Sequence, residues 1–340
     1  MKVNREHLLK CLESIIPGTS TKSIVEQSNC AVFQDGFVSS FNDEIAVTAK
    51  SPVDIKAAVF IQPLVAILNK LEEKEIDVVL EEGQLRIKGK RRRGGVSCSS
   101  EIELPIDTVD QPKEWKKLPE KFIPYISIVR DCVSKDESQF LITCVHITPD
   151  HIEACDNNQA IRYKIDTGFS ESTLIRGESV QYVCRKDIIE FSETKSWVHF
   201  RNKDGLCISC RRYQKDSNES EFPSLDEIFI LEGNELSLPK EVKSAAEKAN
   251  VFSKEDKNLN MIKVTLKDGK AFIRGESSEG WFSEFVTFDY KGEATAFFIP
   301  PSLLINIVDR KDACIFGSGK IGAEGEDYVY VSSVALPEDT

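Results

Sequence analysis

Four groups of side chains in this chain have types and spacing that could do chemistry. Cys207 and Cys210 form a C-x-x-C pair, half of a structural zinc site. His7, His146, His151 and His199 are the candidate histidine ligands or bases. Asp156, within Ala154-Cys155-Asp156-Asn157-Asn158, could act as an acid or base. The run Lys88-Gly89-Lys90-Arg91-Arg92-Arg93 could hold phosphate. The first three have plainer readings. The cysteine pair falls in an expected strand, where residues three apart point to opposite faces, and no second pair completes a zinc site. No two histidines stand at i, i+4. Asp-Asn-Asn between two apolar runs is turn chemistry. The basic run is either a solvated hairpin turn or a phosphate contact or charged patch at a subunit edge. No phosphate-binding glycine loop, dinucleotide fingerprint or nucleophile elbow occurs. We therefore expect no enzyme, no cofactor and no metal.

Composition agrees with a binding protein. The chain has 340 residues, 44 Lys and Arg, 56 Asp and Glu, and a net charge of −12. That balance argues against nonspecific adhesion to nucleic acid, and any such contact must come from a local arrangement of cations. The charged N-terminus lacks the apolar core of a signal peptide, and no stretch is long and apolar enough for a membrane span. The expectation is a cytoplasmic protein with reduced thiols and no membrane partner.

The elements that position these groups repeat. From Tyr182 to Phe229 the sequence predicts a short apolar run, a helix containing Ile188, Ile189 and Phe191, and a hairpin of Trp197–Arg201 and Leu206–Tyr213 turning at Asp204-Gly205. Related strand–helix–hairpin patterns start at Phe60 and near Phe297, with Phe60, Tyr182 and Phe298 in corresponding places. That spacing is domain-sized. Each repeat also opens on a helix: 5–16, near 119–134, and 239–249. Strands are expected at 29–34, 36–41 and 44–49; at 139–148, 151–156 and 160–165; and at 260–266, 270–275 and 281–290. The prediction is an α+β chain of three tandem domains, 1–112, 113–235 and 236–340, each with two helices on antiparallel sheet.

Four segments then carry a resemblance. Arg5-Glu6-His7-Leu8-Leu9-Lys10, Val183-Cys184-Arg185-Lys186-Asp187-Ile188-Ile189-Glu190, Glu221-Phe222-Pro223-Ser224-Leu225 and Val334-Ala335-Leu336-Pro337 occur in the order and at the separations seen in bacterial sliding clamps. The chain resembles that family, the beta subunit of DNA polymerase III, over its whole length, as a divergent member, bacterial or phage-encoded. It departs at the pocket turn, where Cys155-Asp156-Asn157-Asn158-Gln159-Ala160 replaces Thr-Asp-Gly-His-Arg-Leu. It departs again at the end, where Glu338-Asp339-Thr340 replaces an Arg-Leu pair.

The resemblance implies a homodimeric head-to-tail ring around double-stranded DNA, read without sequence specificity, and a role as a polymerase processivity factor. The alternative is a clamp-fold scaffold used in repair or transcription. It implies DNA contact by Lys10, Lys22, Arg185, Lys186, Lys254 and Lys257, with the two middle cations opening the second helix of the middle domain. Val251 and Phe252 would anchor the dimer against a surface around Ser97 to Glu103. DNA polymerase and clamp loader would dock short peptides in a pocket between domains two and three. Its lining would be Leu141, Cys155, Asn157, Asn158, Gln159, Ala160, Pro223, Ile228, Val334, Leu336 and Pro337.

Overall fold

The computed structural model describes residues 1–22, 25–89, 91–213, 221–253, 260–310 and 314–337. Six α-helices lie among them: α1 (Arg5–Ile15), α2 (Ile61–Lys70), α3 (Phe122–Val129), α4 (Gly177–Val183), α5 (Glu241–Ala249) and α6 (Pro301–Asp309). None is long and apolar enough to cross a membrane. The expected two helices per repeat are present, on antiparallel sheets.

The chain forms two compact units. The first contains the described residues of Met1–Ser127, Ile147–Pro149 and 167–213. One sheet organises it, in the spatial order Lys2–Asn4, Glu75–Glu81, Gln84–Lys88, Arg93–Ser99, Ala57–Phe60, Cys30–Gln34, Phe37–Phe41, Ile45–Lys50, Cys207–Arg211, Trp197–Asn202, Ile188–Glu193 and Lys116–Lys117. The step from Ile45–Lys50 to Cys207–Arg211, with Val47 opposite Ile208, joins two distant parts of the chain in one ladder.

The register assigns the sheet's faces. Ser40 Oγ donates to the Ile15 carbonyl at the end of α1, 2.5 Å away. Ser40 lies opposite Val47, Val47 opposite Ile208, and Ile208 opposite Phe200, so all four point to the α1 face. Phe122 of α3 packs on Phe200 at 6.4 Å between ring centroids. Helix α4, capped by Cys184, packs on the strand Cys207–Arg211 that carries Ile208. Helices α1, α3 and α4 therefore cover one face. Phe41, Ala46 and Trp197 point the other way, into a core closed by Leu104 and Val109 of the connector.

The second unit has two sheets. One orders Cys144–Ile147, His151–Cys155, Gln159–Lys164, Tyr328–Ser333, Lys320–Glu324, Cys314–Gly317 and Asn234–Leu236. The other orders Gly280–Thr287, Lys270–Ser277, Ile262–Lys267 and Thr295–Ile299. Helix α5 packs on the strands Lys270–Ser277 and Gly280–Thr287, and also on α6. Gly275 permits the close approach: a Cβ there would stand 1.9 Å from the Ala249 carbonyl oxygen.

The structure corrects two expected elements. The segment from Ile188 is a strand, Ile188–Glu193, paired with Trp197–Asn202; the helix lies earlier, as α4. A bulge between Ile188 and Glu190 turns Ile188 and Phe191 to the same buried side. Three-residue spacing therefore mimics a helix inside a strand. The repeat aligns on the residues capping α2, α4 and α6, namely Phe60, Arg176 and Pro300, so Arg176 and not Tyr182 is the middle counterpart. In the expected strand 139–148, Glu137–Thr143 is instead a 3-10 segment. Asp136 caps it by accepting from the Ser138 amide at 3.0 Å, and Thr143 Oγ1 donates to Phe140 O at 2.7 Å.

Candidate functional site

A concavity of the second unit lies where Gln159–Lys164 pairs with Tyr328–Ser333, Ala160 opposite Val331. Its volume is about 400 Å³. The floor is Cys155, Ala160 and Val331; Leu225 closes one side against Ile142, Phe222 and Phe229. Burial, with the Glu153 and Asp156 charges nearby, pushes the Cys155 thiol up to about 12, so the floor is uncharged at neutral pH. Ile228, 37% exposed, stands at the lip.

The polar rim is built by the hairpin turn after Cys155. Asp156 Oδ1 accepts from the amides of Asn158 and Gln159 at 2.7 and 2.9 Å, and Oδ2 accepts from Gln159 Nε2 at 3.0 Å. Asp156 is thus a turn residue, as its neighbours predict. Tyr330 Oη donates to Gln159 Oε1 at 2.9 Å, and the Ser333 amide donates to the Asn158 carbonyl at 2.8 Å. Opposite, Arg162 pairs with Asp226 at 2.7 Å and lies 4.9 Å from the Phe229 ring centroid. Lys320 Nζ donates to the carbonyls of Glu227 and Ile228 at 3.3 and 3.4 Å. Both walls are held by hydrogen bonds and one ion pair, so the cavity is preformed.

Of the expected lining, Cys155, Asn157, Asn158, Gln159, Ala160, Pro223 and Ile228 meet at this cavity. Leu141 lies in the 3-10 segment, and its neighbour Ile142 takes the wall position. The Val334 amide donates to Gly319 O at 2.9 Å, and Ala335 bridges to Phe298, which carries Leu336 and Pro337 along that strand and not into the wall. Sequence reasoning missed Gln139, Ile142, Asp156, Leu225, Lys320, Val331 and Ser333. Leu225 carried a usable signal: it is the apolar residue of the quoted Phe-Pro-Ser-Leu turn. Lys320 and Val331 reach the site only through strand pairing.

The cations are placed differently. Lys10 is exposed on α1, Lys22 is exposed in the bend beyond it, and Arg185 and Lys186 lie in the turn after α4, Arg185 exposed and Lys186 half-buried. They do not open a helix, because Asp187 adopts a left-handed conformation (φ 49°) and the chain turns into the strand. Among the described residues none of the four forms an ion pair. Lys243 and Lys248 of α5 do, with Asp309 and Glu284, each at 2.7 Å. Lys254 and Lys257 lie outside the described residues. In the run Lys88–Arg93, Lys88 pairs opposite Arg93 across adjacent strands, with Lys88 4.0 Å from Glu81 and Arg92 3.9 Å from Glu72; Lys90 is outside the described residues.

A third surface is apolar. Val251 is 65% exposed after α5; Trp281 and Phe285 are 61% and 54% exposed on the outer strand Gly280–Thr287. Phe252 lies against Gly280. In the first unit, Ser97, Ser99 and Glu103 line a concavity of about 410 Å³ with Val25 and Phe60.

Solved structures match this architecture end to end. The DNA polymerase sliding clamp from Bacillus subtilis superposes with a TM-score of 0.81, at 15% identity, over 98% of each chain. The chain has the sliding-clamp fold. The DNA polymerase III subunit beta from Pseudomonas aeruginosa gives 0.79 at 15% identity over 99% of each chain. The sliding clamp from Bartonella birtlesii, bound to griselimycin, gives 0.84 at 14% identity over 98% of each. No family model and no curated protein matches the sequence. Within the clamp fold, divergence at this level leaves the side chains of each surface to be judged on their own chemistry.

Proposed function

We propose that this protein is a non-catalytic processivity factor: a sliding clamp that encircles duplex DNA and tethers a replicative polymerase. Two chains would close head to tail, the Val251, Phe252, Trp281 and Phe285 surface of one meeting the Ser97–Glu103 region of the other. Duplex DNA would run past the helix-covered face, with Lys10, Lys22, Arg185 and Lys186, and Lys254 and Lys257 from the expected set, contacting phosphates. Such contacts position without reading bases, which permits sliding. Polymerase and clamp loader would dock through short peptides, an apolar side chain entering the slot over Cys155 and Ala160. Ring closure and peptide docking together convert polymerase rebinding into an intramolecular event at high effective concentration.

The observation that carries this reading is the preformed cavity on a chain that matches sliding clamps end to end. Primer extension with the cell's own polymerase and loader, under conditions allowing one binding event per template, tests it. Adding the protein lengthens the products; unchanged product length contradicts the reading. The ring itself is tested by light scattering: Val251→Ala with Phe252→Ala yields monomers, and an undiminished dimer removes this surface from the interface.

A further inference from the structure

The fold brings together two histidines and a carboxylate that the cavity does not use. His146 lies on one strand, His151 and Glu153 on its neighbour, and their ligand atoms all fall within 4.8 Å of one another. Glu153 is 3% exposed on the sheet face that carries Cys155. One of its oxygens, Oε2, is held by Arg162 at 2.7 Å. The other, Oε1, faces His146 Nδ1 at 2.7 Å and His151 Nε2 at 3.5 Å.

The second nitrogen of His151 decides what that geometry means. Asp150 Oδ1 lies 2.9 Å from His151 Nδ1, and a carboxylate can only accept there. In a neutral ring the proton is then on Nδ1, and the Nε2 lone pair points at Glu153 Oε1. Two acceptors then face each other, a repulsion relieved either by a second proton on the ring or by a metal ion between the two atoms. A carboxylate–histidine pair behind a metal is the usual way of fixing the tautomer of a metal-bound imidazole. Charge also fits: Asp150, Glu153 and Asp226 against Arg162 leave two net negative charges around the cluster.

We propose that His146, His151 and Glu153 hold a divalent transition metal of the zinc class. Two imidazoles and one carboxylate are a zinc donor set with a fourth position for water, at bond lengths of about 2.0–2.2 Å. Binding requires the His146 proton to move to Nε2, freeing Nδ1, and widens the His146 Nδ1–Oε1 gap from 2.7 Å to about 3.3 Å, while the His151 Nε2–Oε1 gap of 3.5 Å already has room for the ion. Glu153 keeps Arg162 through Oε2, Arg162 keeps Asp226 and Phe229, and His146 lies 4.6 Å from the Phe222 ring. The ion would therefore stiffen the 221–229 strip that closes the cavity. This last effect rests on the peptide-docking reading; the metal site does not.

The test is titration of the full-length protein, stripped with chelator, with Co²⁺ followed by Zn²⁺ competition. One Co²⁺ per chain is expected, with visible d–d bands and no sulfur-to-cobalt charge transfer. His151→Ala and Glu153→Gln each weaken it at least tenfold, with the far-UV spectrum and urea midpoint at pH 7 reported for both. His151→Ala removes a partly exposed ring, so its fold is the more secure control. Absence of stoichiometric binding overturns the proposal. So does equal affinity in the folded variants, or a thiolate band, which would put the metal on cysteines. Loss of peptide affinity on stripping the metal supports the stiffening. Unchanged affinity removes the stiffening alone, because the metal titration needs no partner.

Discussion

The two units bury a titratable group in opposite ways. In the first, His199 is held without charge between Ser209 Oγ at 2.8 Å and Thr194 Oγ1 at 3.1 Å. Burial pulls it down to about 4, with Asp110 opposing. In the second, burial would push Glu153 up, but His146, His151 and Arg162 together hold it down at about 2. His199 is held by neutral hydrogen bonds within its sheet, Glu153 by an ion-pair network beside the cavity. The difference matches the tasks proposed for them. A peptide slot needs walls in fixed positions, which paired charges impose. Phosphate contact needs exposed cations free of internal carboxylates, as Lys10 and Arg185 are among the described residues.

Acid pH should separate the units with the largest effect. A histidine depressed in the folded state contributes stability that is present above about 6.5 and lost as pH falls toward 4. A depressed carboxylate contributes stability present above about 4.5 and lost as pH falls toward 2. Each shift corresponds to about 3 kcal/mol. Urea midpoints between pH 7 and 2.5 should therefore fall in two windows. His199→Gln should flatten the upper one and Glu153→Gln the lower one. A single window that neither change affects would erase the contrast.

Next in size is the cavity. Ile228→Glu places a charge at the apolar lip of a site where an anchored side chain is worth at least ~2 kcal/mol, about 30-fold in Kd. Fluorescence anisotropy with a polymerase-derived peptide should register that loss, while duplex affinity and its salt dependence stay at native values. Peptide affinity within twofold of native would place the site elsewhere.

Smallest is the effect of a single cation. Lys10→Ala should lower the log–log salt slope of duplex binding by about 0.9, and Arg185→Ala by the same amount. Peptide binding should be untouched in both. If all four described cations become Ala and the slope does not change, DNA does not pass along the helix-covered face.

Legibility in the sequence followed the range of the interactions. Helix α1 could be read because Leu8, Leu9, Leu12 and Ile15 are buried at helical spacing. The Asp35-Gly36 turn could be read because both residues have positive φ, 52° and 76°, which that pair tolerates. The Cys155–Ala160 rim was legible as a turn and, through its position in the resemblance, as part of a pocket. Three things were not legible. The bulge at Ile188 gave a strand the spacing of a helix. Lys320 and Val331 join the cavity through pairing across the sheet, which local periodicity does not encode. The His146, His151 and Glu153 cluster spans two adjacent strands, so a search for ligands at helical spacing passes over it.

The central claim is topological, and topology can be measured directly. The protein is loaded onto nicked circular duplex by its clamp loader, separated from free protein by gel filtration, and then split into two portions, one linearised with a single-cutting nuclease. Enclosure predicts that the protein stays with the circle at high salt and leaves the linear DNA within minutes. Equal retention on both forms, or equal loss from both as salt rises, would mean that the chain holds DNA by affinity alone and would contradict the account.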